Sequence, residues 1–197
     1  MTGSSRKIEI SRVDISKGIV VSDVVAVEEP LEIQVASSTA SGAAAKSVSI
    51  TMRTPGNDPE LALGFLFTEG IIHSMDQVVS VSHRGEPVPD SGVQNIVRVE
   101  IAPHVDLNLD RLERHFYTTS SCGVCGKASL DALRLTGLDS LETHAFAVSP
   151  ETLLALPAVV REHQPIFAET GGLHASALFG PDGEIGFVRE VVGRHNT

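Results

Sequence analysis

A chain of 197 residues with 42% hydrophobic content is long and apolar enough to close a substantial core, which excludes a wholly disordered protein. Fifteen Lys plus Arg stand against 25 Asp plus Glu, a net charge of −10 shared evenly between residues 1–100 and 101–197. Without a basic block there is no collected positive field for general nucleic-acid or anionic-membrane binding, so an anionic ligand needs a local pocket.

The N-terminus, Met1-Thr-Gly-Ser-Ser-Arg-Lys-Ile8, lacks the apolar core of a secretory signal, and no apolar run approaches the roughly 18 to 20 residues that span a bilayer. The expectation is a cytoplasmic protein with a loose N-terminal segment over residues 1–23. A single αβ domain is expected over 24–197, since no internal repeat or linker interrupts it.

Val24 to Ala36 reads as strand with a turn at Glu29-Pro30, and the Ser/Ala/Gly-rich stretch Ser37–Ala45 reads as a flexible loop. Lys46 to Arg53 alternates, with Val48, Ile50 and Met52 on one side and Ser47, Ser49 and Thr51 on the other, the pattern of a half-buried strand. A turn follows and leads into a helix. Asp58 reads as its N-cap, Pro59 as the first helical position and Gly70 as the stop, with Arg53 on the surface before it. Because Leu61-Ala-Leu-Gly-Phe-Leu-Phe67 is apolar nearly all round, burial on more than one side is expected.

Val78–Ser82 and Asn95–Ile101 read as two more strands around a Gly/Pro/Asp turn at residues 85–92. A second helix starts at Ser149-Pro150-Glu151 and runs towards His163, with Pro157 kinking or splitting it. Strand, turn and strand follow at Ala175–Phe179, Gly180–Gly183 and Glu184–Glu190. Interleaved strands and helices give a mixed α/β class.

The two cysteines of the chain stand together as Cys122-Gly-Val-Cys125. The stretch before them can be extended and Lys127–Leu135 reads as helical, so the pair is placed on a loop entering a helix, where backbone N–H groups and the helix dipole favour thiolate. Such a pair can bite one metal, close a disulfide, or act as nucleophile and resolving thiol. A structural zinc would have to recruit histidines or carboxylates, since no second cysteine pair exists. Gly123 and Gly126 suit a loop that presents sulfur to two partners, or simply a tight turn.

Thr170-Gly171-Gly172-Leu173-His174 sets paired glycines before a histidine, allowing close ligand approach and a titratable hydrogen-bonding ring. Gly193-Arg194-His195-Asn196 combines a bidentate anion donor, an imidazole and an amide, a set suited to phosphate or a nucleobase edge and equally to a solvated tail.

The run Arg53-Thr-Pro-Gly-Asn-Asp-Pro-Glu-Leu-Ala-Leu-Gly-Phe-Leu-Phe-Thr-Glu-Gly-Ile-Ile72, with Ser120–Gly126, Thr170–Ala175 and Gly193–Asn196, resembles the formate dehydrogenase accessory sulfurtransferase family, FdhD. The resemblance runs from about Glu28 to the last residue. It implies a cytoplasmic sulfurtransferase with a cytidine-deaminase-like αβα layered fold and mixed sheet, homodimeric when full length. The implied chemistry takes persulfide sulfur from a cysteine desulfurase. The sulfur passes to the molybdenum (or tungsten) bis-guanine dinucleotide cofactor, bound as substrate, before its insertion into the formate dehydrogenase apoenzyme. By motif, Cys122 is the persulfide carrier and Cys125 its partner. Gly171, Gly172, His174, Arg194, His195 and Asn196 are the cofactor-binding set, and no metal site or permanent cofactor is implied.

Two departures stand out. The family's last motif is usually preceded by Glu-Asp-Val, where this chain has Glu190-Val191-Val192. Relatives also continue well past Gly-Arg-His-Asn, so the sequence reads as a truncated member with weakened or absent cofactor binding.

Three rival readings follow from the same residues. A zinc deaminase needs His-x-Glu before Pro-Cys-x-x-Cys; here the cysteines come first, Ser121 replaces the proline and His174-Ala-Ser176 lacks the glutamate. A thioredoxin-like oxidoreductase would share the local strand, C-x-x-C and helix, but long sequence precedes the pair and the chain has no tryptophan. The third is a purely structural interaction protein.

Overall fold

The computed structural model of the chain describes residues 3–14, 17–37, 45–89, 91–105, 107 and 147–193. Cys122, Cys125, Arg194, His195, Asn196, most of the expected 37–45 loop and the helix expected over 127–135 lie outside them. The chain divides into two units. One comprises Pro30–Met52 and Asn57–Glu142, the other Met1–Glu29, Arg53–Gly56 and Thr143–Thr197.

The first of these is built on a four-stranded mixed sheet. Its strands are β3 (Glu29–Ser37), β4 (Lys46–Arg53), β5 (Val78–Arg84) and β6 (Ile96–Ile101), in the order β4-β3-β6-β5. β3 runs parallel to β6 and β5 runs antiparallel to it. A parallel pair cannot be joined by a tight turn, and β4, helix α1 (Asp58–Thr68) and β5 lie in the connection between β3 and β6. Alternation then sorts the faces. Leu31, Ile33 and Val35 of β3 and Val97, Val99 and Ile101 of β6 are buried with Ala62 and Leu66 of α1. Burial of each of the valines, leucines and isoleucines contributes about 1.5–3 kcal/mol. The intervening Glu32, Gln34 and Arg98 are joined instead by side-chain hydrogen bonds, Gln34 Nε2 donating to Glu32 Oε1 at 2.9 Å and Arg98 Nη2 to Gln34 Oε1 at 2.9 Å.

The mixed α/β class and mixed sheet agree with the sequence reading, and β4 has the bounds expected of it. Its alternation does not persist: Val48 is buried, but Ile50 is 69% and Met52 44% exposed, while Arg53 is fully buried. Arg53 is thus not the surface residue expected, and its Nη1 donates to the Glu29 carbonyl at 3.4 Å.

The start of α1 also differs. Asn57 occupies the N-cap position, and Asp58 is the first helical residue, buried, with its carboxylate 3.0 Å from His83 Nε2 on β5. The carboxylate suits the positive end of the helix dipole and also reaches His83 across to β5. Burial follows the stripe Asp58, Ala62 and Leu66, widened by partly buried Leu61, Leu63 and Phe65, while Phe67 is 60% exposed. Gly70 adopts φ 69°, the left-handed conformation expected of a stop.

In the other unit, residues expected to be loose form an antiparallel ribbon of β1 (Ser5–Asp14) and β2 (Lys17–Ala26), in register from Ser5↔Ala26 to Asp14↔Lys17. Its β-branched residues explain the difference. Ile8, Ile10 and Val21 share one half-buried face, and a short helix, α3 (Pro165–Thr170), packs against β2, while Ser5 Oγ of β1 donates to Glu169 of that helix at 3.1 Å.

Helix α2 (Pro150–Glu162) starts as the sequence predicts, with Ser149 Oγ accepting from the Thr152 N–H at 3.0 Å. It continues through Pro157. Helix α3 follows, then an antiparallel pair of β7 (His174–Phe179) and β8 (Ile185–Val191).

Candidate functional site

The glycine–histidine motif lies where α3 turns into β7. Gly171 ends α3 with φ 68°, its N–H donating to the Phe167 carbonyl at 2.8 Å, so the first glycine meets a backbone requirement of the helix end. Thr170 Oγ1 lies 2.7 Å from the Ile166 carbonyl and accepts from the Gly172 N–H at 3.2 Å, which ties the turn to the helix. Leu173 has φ 119°, a conformation rare for a side chain with a Cβ. This constrained turn delivers His174 as the first residue of β7, exposed.

His174 pairs across the strands with Val191, and residues directly opposite share a face. The acidic residue whose absence distinguishes this sequence from the family pattern would therefore stand against His174; here the position holds a buried valine. Glu190 beside it turns to α3. Its carboxylate accepts from Ile166 N–H at 3.0 Å and Phe167 N–H at 2.8 Å, satisfying two donors that the helix itself leaves open.

A groove of about 480 Å³ runs between α2, α3 and the start of β7. Its floor is apolar, with Leu156, Val160 and Phe167, and its polar lining is Arg161, Gln164 and His174. The Arg161 guanidinium carbon lies over the Phe167 ring, 4.1 Å from its centre, a cation–π contact. Of the residues singled out from sequence, the described structure brings Gly171, Gly172 and His174 to this place. Arg161, Gln164, Phe167 and Glu190 were not singled out. A basic residue in the last turn of α2, followed by Gln164-Pro165 opening another helix, was the one available signal.

The FdhD/NarQ family matches residues 26–197. The chain belongs to this family. It is 46% identical over 177 residues to the sulfur carrier protein FdhD of Streptomyces avermitilis, covering 89% of this chain and 60% of that protein. Against the sulfur carrier protein FdhD of Sulfurisphaera tokodaii it is 36% identical over 192 residues, covering 98% of this chain and 66% of that one. The chain thus spans about 60% of the length of the first of these relatives. Among solved structures it is similar in fold to a protein from Desulfotalea psychrophila named as a formate dehydrogenase accessory protein. That likeness has a TM-score of 0.63 at 18% identity, over 98% of this chain and 65% of the other. The family match excludes most of the β1–β2 ribbon, which begins at Ser5.

Proposed function

We propose that this chain is a sulfur carrier acting in formate dehydrogenase maturation, with Cys122 as the thiol that bears the sulfur and Cys125 as its partner. The observation that carries the reading is family membership with relatives named as sulfur carriers, in a chain whose two cysteines form one C-x-x-C. In the proposed step the Cys122 thiolate attacks the outer sulfur of a persulfide on a cysteine desulfurase. The donor's S–S bond breaks, its electron pair leaves on the donor thiolate, and Cys122 holds the persulfide. The Cys125 thiolate then attacks the Cys122 sulfur, breaking the persulfide S–S bond and closing a Cys122–Cys125 disulfide. The outer sulfur thereby leaves at the sulfide level to the molybdenum (or tungsten) bis-guanine dinucleotide cofactor, bound as substrate, before that cargo enters the formate dehydrogenase apoenzyme. An external thiol reduces the disulfide for the next turn. Gly171, Gly172 and His174, with Arg194, His195 and Asn196, are the proposed binding set for the cargo.

The cytidine-deaminase-like αβα layering, a homodimer and a cytoplasmic setting belong to the same proposal. Among the described residues no helix is long and apolar enough to cross a membrane. Complementation of cells lacking the accessory protein tests the reading. Restored formate dehydrogenase activity that is lost in both Cys122→Ala and Cys125→Ala supports it, and activity unchanged when both cysteines are alanine overturns it.

A further inference from the structure

The groove between α2, α3 and β7 has electrostatics that the fold alone does not require. Among the described residues, the side chains of Arg161, Gln164 and His174 make no ion pair or hydrogen bond, and Arg161 is engaged only by the Phe167 ring. Among those residues, too, no carboxylate lines the groove. Glu190, on the strand paired with β7, has both oxygens committed to Ile166 and Phe167. The C-terminal dipole of α2 favours a cation at Arg161, but it does not explain why an amide and an imidazole line the same groove. In a chain of net charge −10, an exposed guanidinium over the Phe167 ring, with no carboxylate beside it among the described residues of the groove, is a local positive site of the kind an anion needs.

We propose that this groove binds an oxyanion of the phosphate class. Arg161 is its bidentate donor, Gln164 and His174 flank it, and Leu156, Val160 and Phe167 receive the apolar or flat body attached to it. The contact with Phe167 restrains the guanidinium before the ligand arrives, which lowers the ordering cost of binding. The α3 N-terminus contributes nothing, since Glu190 already takes its open N–H groups. The identity of the natural ligand rests on the carrier reading: the oxyanion is then the phosphate bridge of the dinucleotide cargo, and Arg161 and Gln164 join His174 as binding residues.

The test is equilibrium titration of the whole chain, at fixed ionic strength, with inorganic pyrophosphate, GDP and guanosine. Pyrophosphate and GDP are expected to saturate, and Arg161→Gln to weaken both by about tenfold to a hundredfold, the range of a charge-assisted hydrogen bond. Arg161→Lys, which keeps the charge but loses the planar fork, should weaken both as well, and Glu162→Gln should not. GDP tighter than pyrophosphate assigns the oxyanion to a nucleotide; equal affinities assign it to a phosphate carried otherwise, and both support the site. No saturation by pyrophosphate, guanosine binding as well as GDP, or unchanged affinity in Arg161→Gln overturns it. Sulfur loading by a desulfurase is read on the same samples. Arg161-dependent binding in a chain that never takes sulfur would keep the groove and remove the carrier reading, and sulfur loading with Arg161-independent binding would do the reverse.

Discussion

Glu190 on β8 accepts the backbone N–H of Phe167 on α3 at 2.8 Å, and its second oxygen takes Ile166 at 3.0 Å. One side chain thereby fixes the helix that carries Phe167, and Phe167 in turn carries Arg161. Replacing Glu190 with alanine leaves two half-buried donors open and is expected to cost about 1–3 kcal/mol. Glu190→Gln, which keeps one acceptor, should cost roughly half as much. Denaturant unfolding measures both, and equal stability of all three proteins would show that the contact does not hold α3.

Asp58 and His83 join α1 to β5 through a contact of 3.0 Å in which the carboxylate is buried and the imidazole about one-third exposed. Removing His83 takes a partner from a buried charge, so His83→Ala is expected to destabilise by about 1–2 kcal/mol. The exposure of the ring keeps the coupling below that of a fully buried pair. A double-mutant cycle with Asp58→Asn should return a coupling of about 1 kcal/mol. Additive effects of the two substitutions would mean that each residue serves other neighbours and not this contact.

Three glycines separate backbone need from available space. Gly171 has φ 68° with open space where an added methyl would sit, so Gly171→Ala should cost only the left-handed strain, about 1 kcal/mol. Gly183 has φ 86°, and a Cβ there would lie 2.8 Å from Thr152 Cγ2, so Gly183→Ala should cost about 2 kcal/mol or more. Gly64 lies within α1 with no described atom near the added methyl, and Gly64→Ala should stabilise by about 0.5–1 kcal/mol. Thermal unfolding of the three variants should rank them Gly64, Gly171, Gly183 from most to least stable; any other order would refute the assignment of these costs.

Helix α2 was legible because its start is written locally: Ser149 caps, Pro150 opens and Glu151 suits the dipole. The sheet order was not, because pairing β3 with β6 depends on contacts between residues far apart in the chain, as in Ile33↔Val97. The ribbon escaped notice for a related reason. Its strands bury little on their own, and Ile8, Ile10 and Val21 converge on one face only once the register is fixed. Asp58 was read as the cap because Asn57 and Asp58 are both cap-type residues side by side, and the sequence does not say which of them stands one step outside the helix. The histidine of the candidate site stood out through its glycines. Arg161 did not, since an arginine ending an amphipathic helix is ordinary until a phenylalanine from the next helix lies beneath it.

The central claim concerns the thiols. Incubating the whole chain with a cysteine desulfurase and cysteine, then mapping the sulfur by intact and peptide mass spectrometry, tests it most directly. The account predicts that Cys122 gains the mass of one sulfur atom, that a reductant removes it, and that Cys122→Ala abolishes the gain. A chain in which neither cysteine acquires sulfur from a competent donor would contradict it.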